Sequence, residues 1–397
     1  MENRHMPHDL AQMQSLPLEA KIRMTQERIK VWYESWKRFE IVNKETGRTR
    51  FETIDCRDIF AEPELKENEY IGEINDGQVY VSFSGGKDST VLKHIIDQMY
   101  DDVPSVFVNT GLEYPEIQQF VRDIKAGKYG CFNSDVEIMR PEIRFDQVII
   151  KHGYPVISKD VAMSVKTAKY NKNTYRFKKL SGTAVDKHGN HSMYNMPKWA
   201  FLMDAPFDTS SKCCDVMKKR PAHKYQKQTG RKPIIGTMTQ ESRNRYVSWL
   251  KNGCNAFEAK KPTSQPLSFW TEQDVFHYIK KYNVPYASVY GDIVIDEKVD
   301  GENTLKGQLN MIDYLNCYEQ SDILKTTGCN RTGCIFCMFG CHLEKEPNRF
   351  QQLKETHPRQ YEYCIGGGEY NEEGKWQPSK DGLGMGKVLD YIGVKYD

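Results

Sequence analysis

Val79-Tyr80-Val81-Ser82-Phe83-Ser84-Gly85-Gly86-Lys87-Asp88-Ser89-Thr90 is the stretch whose reading decides the fold. Gln78 to Phe83 is a short apolar run of strand length, and Ser89 to Tyr100 beyond it reads as a helix. Between them, two adjacent glycines let the backbone turn tightly and approach a ligand with no side chain in the way. Amides gathered after a strand and at the start of a helix make an anion site. Lys87 adds positive charge, Ser84 and Ser89 supply hydroxyls, and Asp88 is a candidate Mg²⁺ ligand beside phosphate. A lone Gly-Gly pair is ordinarily a surface joint. Six consecutive residues of matching chemistry, after a strand and before a helix, are a phosphate loop.

Working outward, Pro104 to Asn109 reads as a second buried strand and Tyr114 to Lys125 as a second helix. Val136 to Met139 and Pro233 to Gly236 read as further strands, and Glu272 to Tyr282 as a helix closed off by Pro285. Alternating strand and helix predicts an α/β fold, a parallel sheet with helices on both faces. Leu18 to Phe39 sets Ile22, Ile29, Trp32 and Trp36 near one face and reads as one N-terminal helix. Residues 41–76 are mixed and turn-rich and carry no assigned role. The expected organisation is an N-terminal helical extension over 1–70, a nucleotide-binding domain over 71–300 and a cysteine-rich region over 301–397.

With 39% apolar and 28% charged residues, the 397-residue chain has a globular composition. A formal charge of +2 gives no global field for a polyanion, so such a partner has to be met by a local patch. No run approaches the roughly 18 apolar residues that span a bilayer, and Met1 to Leu16 lacks the apolar core of an export signal. The expectation is a soluble cytoplasmic protein, without membrane contact, whose eleven cysteines are thiols or metal ligands before disulfides.

Ser84-Gly85-Gly86-Lys87-Asp88-Ser89 resembles the PP-loop of the N-type ATP pyrophosphatases, which have an adenine nucleotide alpha hydrolase-like (Rossmann-like) fold. Over roughly residues 75–340 the chain resembles the phosphoadenosine-phosphosulfate (PAPS) reductase branch of that superfamily. Asn109-Thr110-Gly111-Leu112-Glu113 is similar to the second signature of that branch, usually begun by Asp-Thr-Gly. Gly236 with Glu241-Ser242 and Arg245 resembles the third, where an arginine faces the nucleotide. Pro266 to Val275, followed by Pro285-Tyr286, resembles the fourth. The resemblance implies that Ser84, Gly85, Gly86, Lys87, Asp88, Ser89, Thr110, Gly111, Gly236 and Arg245 bind ATP or a (phospho)adenylyl sulfate, with Mg²⁺. Lys87, Asp88 and Arg245 are then the catalytic candidates. Each has a plainer reading too: Glu241 and Arg245 as a helical ion pair, Thr271 with Asp274 as a capping device, Asp274 as a solvated helix residue.

Cys213-Cys214, followed by Lys and Pro, resembles the adjacent-cysteine motif of assimilatory adenylyl-sulfate reductases, which joins a later C-x-x-C to hold a [4Fe-4S] cluster. Cys334 and Cys337 supply the C-x-x-C. Cys329, Cys334, Cys337 and Cys341 are also a local set of four thiols in thirteen residues, able by spacing to take an iron–sulfur cluster or Zn²⁺ alone. Both sets share Cys334 and Cys337, and the choice between Cys213/Cys214 and Cys329/Cys341 stays open. Cys56, Cys131, Cys254 and Cys317 read as buried free thiols. His342 reads equally as a ligand or a polar surface residue.

Lys159 to Ala200 carries nine Lys/Arg against Asp160 and Asp186, with Tyr170, Tyr175, Tyr194 and Trp199 interleaved. It reads as a basic insertion or mobile flap, suited to nucleic acid (tRNA or DNA) or to a lid over a nucleotide. Sulfonucleotide reductases carry their nucleophile in a C-terminal Glu-Cys-Gly-(Leu/Ile)-His motif. Residues 355–397 offer only Cys364, in Tyr363-Cys364-Ile365-Gly366. That branch also degenerates the loop, whereas Lys87 and Asp88 are both kept here. The expectation is therefore an enzyme that splits ATP to adenylate an acceptor and passes sulfur to it from a sulfur donor. A reductase using a thioredoxin-like partner is the alternative, and a non-catalytic nucleotide- or nucleic-acid-binding regulator the second.

Overall fold

The computed structural model describes residues 4–58, 60–296 and 322–397, so Cys317 and the boundary expected at 300/301 lie outside the described residues. Two compact units share the chain. One comprises Met1–Val108, Tyr114–Met139 and Ala222–Thr332; the other comprises Asn109–Glu113, Arg140–Pro221 and Gly333–Asp397.

The first unit opens with α1 (Pro7–Gln14) and α2 (Leu18–Glu34), then β1 (Trp36–Asn43), β2 (Thr49–Asp55) and β3 (Glu69–Asn75). Next come β4 (Val79–Ser82), α3 (Lys87–Asp97), β5 (Ser105–Val108), α4 (Pro115–Lys125) and β6 (Val136–Met139). After the chain returns, β7 (Lys232–Ile235), β8 (Asn255–Ala256) and β9 (Thr263–Ser264) complete a six-stranded sheet of order β6-β5-β4-β7-β9-β8. All neighbours in it are parallel except β8, which runs antiparallel to β9 at the edge. β5 and β6 lie on one side of β4, and β7 on the other. The strand order therefore reverses at β4, where open α/β sheets bind ligands at the carboxyl end.

Both faces of β4 are covered, which is why it reads as an unbroken apolar run. Val79 and Val81 enter the main core with Val91, Leu92 and Ile95 of α3. Tyr80 points the opposite way, onto Tyr225 of the helix Arg220–Thr229, with ring centroids 4.9 Å apart. Full burial of a valine or leucine side chain contributes about 1.5–3 kcal/mol, so this strand is among the best-anchored parts of the unit.

The N-terminal helix ends earlier than its stripe predicts. The Ser35 hydroxyl donates to the Val31 carbonyl at 2.5 Å and closes the last turn, and Trp36 starts a strand instead. β1 is the centre of an antiparallel sheet of order β2-β1-β3 that takes up much of the turn-rich stretch 41–76. The helix Glu272–Tyr282 starts at the expected capping box: the Thr271 hydroxyl accepts the Asp274 N–H, and the Asp274 carboxylate accepts the Thr271 N–H. Asp274 is buried rather than solvated, because Lys21 donates to both its oxygens at 2.9 and 2.8 Å.

In the second unit, Phe145–His152, Lys159–Tyr170 and Tyr175–Ser181 are helices, as are Arg349–Thr356, Pro358–Ile365 and Met385–Tyr391. The basic stretch is thus packed structure rather than a flap. Ser158 and Thr174 cap its two helices, and Val161, Ala162, Val165, Ala168 and Leu180 are buried. Among the described residues no helix is long and apolar enough to cross a membrane.

Candidate functional site

The loop grows out of β4 and becomes the first turn of α3. Gly85 has φ +72°, and a Cβ there would lie 2.8 Å from Ile117 of α4, so backbone and space both demand glycine. Gly86 caps α3 in extended conformation. Gly236 ends β7 where a Cβ would meet the Asp88 carbonyl at 3.0 Å, so that strand closes directly on the first turn of α3. The hydroxyls of Ser84 and Ser89 lie 3.0 Å apart, Ser84 N–H donates to Ser89 Oγ at 3.2 Å, and Ser89 Oγ donates to the Gly86 carbonyl at 2.9 Å. Lys87 N–H, the first amide of the helix, donates to the Tyr290 hydroxyl at 3.0 Å, and Thr332 Oγ1 sits 2.5 Å from that hydroxyl.

The Lys87 side chain is buried, its ammonium 2.9 Å from Glu272 Oε1, 3.2 Å from the Asn330 carbonyl and 3.9 Å from Asp88 Oδ1. Burial opposes the charge, yet Asp88, Tyr290 and Glu272 together hold the ammonium above the ordinary lysine value. Burial pushes Asp88 up to about 6, Lys87 draws it down, and Glu241 and Glu272 add to the rise. Its Oδ1 is buried without a hydrogen-bond partner. An orphaned carboxylate oxygen among other acids is what a divalent cation would satisfy, so the donor fits Mg²⁺. Arg245 is ion-paired with Glu241 one turn away, the plainer of its two readings. Glu241 also accepts the Met238 N–H at 2.9 Å and lies 3.5 Å from Arg331. Tyr290, Arg331 and Thr332 were not singled out by sequence, and Glu272 entered only as part of the Pro266 to Val275 signature. Lys87 and Tyr290 are 203 positions apart, and no local pattern links them.

Thr110 and Gly111 belong to the second unit. Gly111 has φ +75°, and its N–H donates to Asn109 Oδ1 at 3.0 Å. Asparagine supplies the same acceptor as the aspartate usual at that position, so the departure leaves this turn intact. Thr110 donates through its N–H and hydroxyl to Glu113, at 3.0 and 2.8 Å.

The same unit carries five of the six candidate ligand thiols. Cys213 and Cys214 enter a wide helical turn, Asp215–Lys219, of the kind that recurs at functional sites. Their sulfurs are 4.0 Å apart. That hydrogen bond, then burial, pushes Cys213 up; the same bond pulls Cys214 down, helped by Lys159, Lys218 and Lys219. Cys334 and Cys337 act on the pair electrostatically. Burial pushes Cys334 up to about 11 against the pull of Lys218, whose ammonium is also 3.7 Å from Glu113 Oε1. Cys341 donates to the Met338 carbonyl at 3.0 Å and feels Cys337. Cys329 lies in the first unit, its sulfur donating to the Arg331 carbonyl at 2.9 Å. Cys56, Cys131 and Cys254 are free thiols, and only Cys254 of the three is fully buried. Among the described residues no three His, Cys, Asp or Glu side chains stand at metal-holding separation. As a donor set, Cys213, Cys214, Cys334 and Cys337 still fit a thiolate-ligated centre, four soft sulfurs offset by lysines.

Fold and loop together define an α/β protein with a glycine-rich loop at the switch point of a mostly parallel sheet. The sequence profile of the phosphoadenosine phosphosulfate reductase domain matches residues 78–185 and 161–338, and the chain belongs to that family. It is a PP-loop family of sulfur metabolism. Among solved structures the chain is similar to the crystal structure of phosphoadenylyl-sulfate (PAPS) reductase from Candida auris in its phosphate complex. The identity is 17%, the match covers 53% of this chain and 75% of that one, and the TM-score is 0.28. No curated protein sequence matches the chain.

Proposed function

We propose that this chain splits ATP to adenylate an acceptor and then transfers sulfur to it, rather than reducing a sulfonucleotide. One observation carries the choice. Cys364, the only cysteine of residues 355–397, is fully buried in the helix Pro358–Ile365, its sulfur 3.5 Å from that of Met385. Burial pushes its thiol far above the ordinary range, the opposite of what a nucleophile needs. Within residues 355–397, therefore, no thiolate is placed to attack a sulfonucleotide.

In the reaction proposed, an acceptor oxygen bonds to the α-phosphorus while the bond to the bridging α–β oxygen breaks and pyrophosphate leaves. A sulfide-level sulfur from a donor then displaces AMP. Lys87 and the α3 amides hold the phosphates and take up charge on the leaving group. Asp88 would position Mg²⁺, and Arg245, released from Glu241, would clamp a phosphate. Cys213, Cys214, Cys334 and Cys337 would hold a [4Fe-4S] cluster, or Zn²⁺, with Cys329 and Cys341 the other candidate pair. Such a centre supplies a Lewis-acidic or redox-active metal at which sulfur can be held.

The test uses anaerobically purified protein, Mg·ATP, sulfide and a desalted cell extract that supplies acceptors. Pyrophosphate and AMP should appear, and Lys87→Ala should slow their release roughly ten- to 150-fold, the loss of about 1.5–3 kcal/mol of charge-assisted binding. Sulfite released from adenylyl sulfate or PAPS with reduced thioredoxin, without ATP turnover, would overturn the proposal in favour of the reductase.

A further inference from the structure

Of the basic residues in 159–200, several are structural. Lys166 donates to the His152 carbonyl at 2.9 Å, and Lys169 to the carbonyls of Ala205 and Phe207 at 3.0 and 2.9 Å. Lys179 pairs with Asp160, and Arg176 lies 4.0 Å from the same carboxylate. What remains outside is selective. Lys159, Lys172, Lys178, Lys187 and Lys198 are exposed. Asp186 accepts the N–H groups of His188 and Asn190 in its own turn.

The same stretch of chain leaves three large rings in solvent: Tyr170 at 71% exposure, Tyr175 at 52% and Tyr194 at 62%. Lys198 lies over the Trp199 ring at 4.8 Å, and His342 meets the same ring at 5.1 Å. Packed helices that bury Val161, Val165 and Leu180 yet leave tyrosines among unpaired lysines present a surface to a partner, not an unfinished core.

The stretch shares its unit with five of the candidate thiols. Lys159 begins the first helix and is one of the cations acting on Cys214. His342, against Trp199, follows Cys341 directly in the chain.

We infer that this face binds a single-stranded stretch of nucleic acid, and that such a strand is the acceptor modified by the enzyme. The inference rests on the reading of the chain as an acceptor-adenylating sulfurtransferase. Exposed lysines neutralise a phosphate backbone without reading sequence, and exposed tyrosines stack on bases whose faces are open only where they are unpaired. A duplex hides those faces, and a mononucleotide cannot reach five lysines and three rings at once.

Fluorescence anisotropy on the full chain, with labelled single-stranded DNA and RNA twenty-mers and a duplex of the same length, tests this at two salt concentrations. Single strands should bind more tightly than duplex, with a log–log salt slope of about −0.7 for each phosphate neutralised. Lys172→Glu with Lys178→Glu and Lys187→Glu should flatten the slope, and Tyr170→Ala with Tyr194→Ala should weaken binding roughly tenfold or more. ATP affinity, measured by calorimetry, should be unchanged in both variants. Single-strand affinity no tighter than about 10⁻⁴ M at physiological salt would overturn the inference, as would preference for duplex or binding to anionic phosphatidylserine vesicles instead. Weakened ATP binding in the lysine variant would overturn it too, by making the face a nucleotide lid. Pyrophosphate release with a small-molecule acceptor, unaffected by these substitutions, would leave the proposed reaction standing while removing the nucleic acid.

Discussion

The Tyr290 hydroxyl holds the amide that a phosphate on the loop would need, so Tyr290→Phe should separate the empty and the loaded protein. In the structure that hydroxyl accepts Lys87 N–H at 3.0 Å and bonds Thr332 at 2.5 Å, and burial pushes its pKa up to about 12. It is therefore neutral at any working pH. Removing it strands a buried amide at a cost of about 1–3 kcal/mol in the nucleotide-free protein. If a bound phosphate oxygen takes that amide, as proposed, the cost vanishes in the loaded protein. Thr332 Oγ1 is close enough to swing over and recover part of the loss, so the low end, about 1 kcal/mol, is the expected value. Denaturant titration without nucleotide should show that destabilisation. Calorimetry with a non-hydrolysable Mg·ATP analogue should show affinity about fivefold tighter than the parent. A variant equally destabilised but with unchanged or weaker nucleotide affinity would refute competition at this amide.

Two further outcomes follow from buried charge. Asp88 has a folded pKa of about 6 against an ordinary aspartate value of 3.8, so the native state keeps its proton longer and stability falls as pH rises between the two. With a chelator present, Asp88→Asn should be more stable than the parent at pH 7, by on the order of 2–3 kcal/mol, and indistinguishable from it near pH 3.5 in denaturant melts. Lys21→Met should cost about 3–5 kcal/mol, because it leaves the buried Asp274 carboxylate uncompensated, whereas Lys21→Met with Asp274→Leu should recover much of that loss.

The inner strands were legible because β4 and β5, buried along most of their length, write themselves as apolar runs, whereas β8 and β9, two residues each, left no such run to read. β6 falls on Val136–Met139 as read, and the helix Glu272–Tyr282 matches to the residue because its capping box is local. β1 was hidden for the opposite reason. Trp32 and Trp36 are one helical turn apart, so the stripe of α2 runs unbroken into a strand whose alternation, Arg38 and Glu40 against Phe39 and Ile41, starts only after it. Asp274 looked solvated because its partner stands 253 residues earlier. The lysines of 159–200 looked equivalent because the groups that claim Lys166 and Lys169 are backbone carbonyls, which sequence does not distinguish. At the loop, the glycines and Lys87 announced themselves, but the pairing of Lys87 with Glu272 and the approach of Tyr290 and Thr332 come through the fold alone.

The chain passes from one unit to the other five times, at 108/109, 113/114, 139/140, 221/222 and 332/333, and that interleaving has a cost during synthesis. Val81 on β4 pairs with Ile234 on β7, so at translation speeds of about 5–20 residues per second the nascent strand waits roughly 8–30 s for its second neighbour. Throughout that interval an apolar strand leaves the ribosome with one edge open, the state in which chains aggregate or are held by chaperones. A chain stopped after Pro221 would lack β7 in one unit and the segment Gly333–Asp397 in the other. Neither unit is therefore a single continuous segment that one truncation could release, and slower translation together with added chaperone should raise the yield of the whole chain more than any truncation.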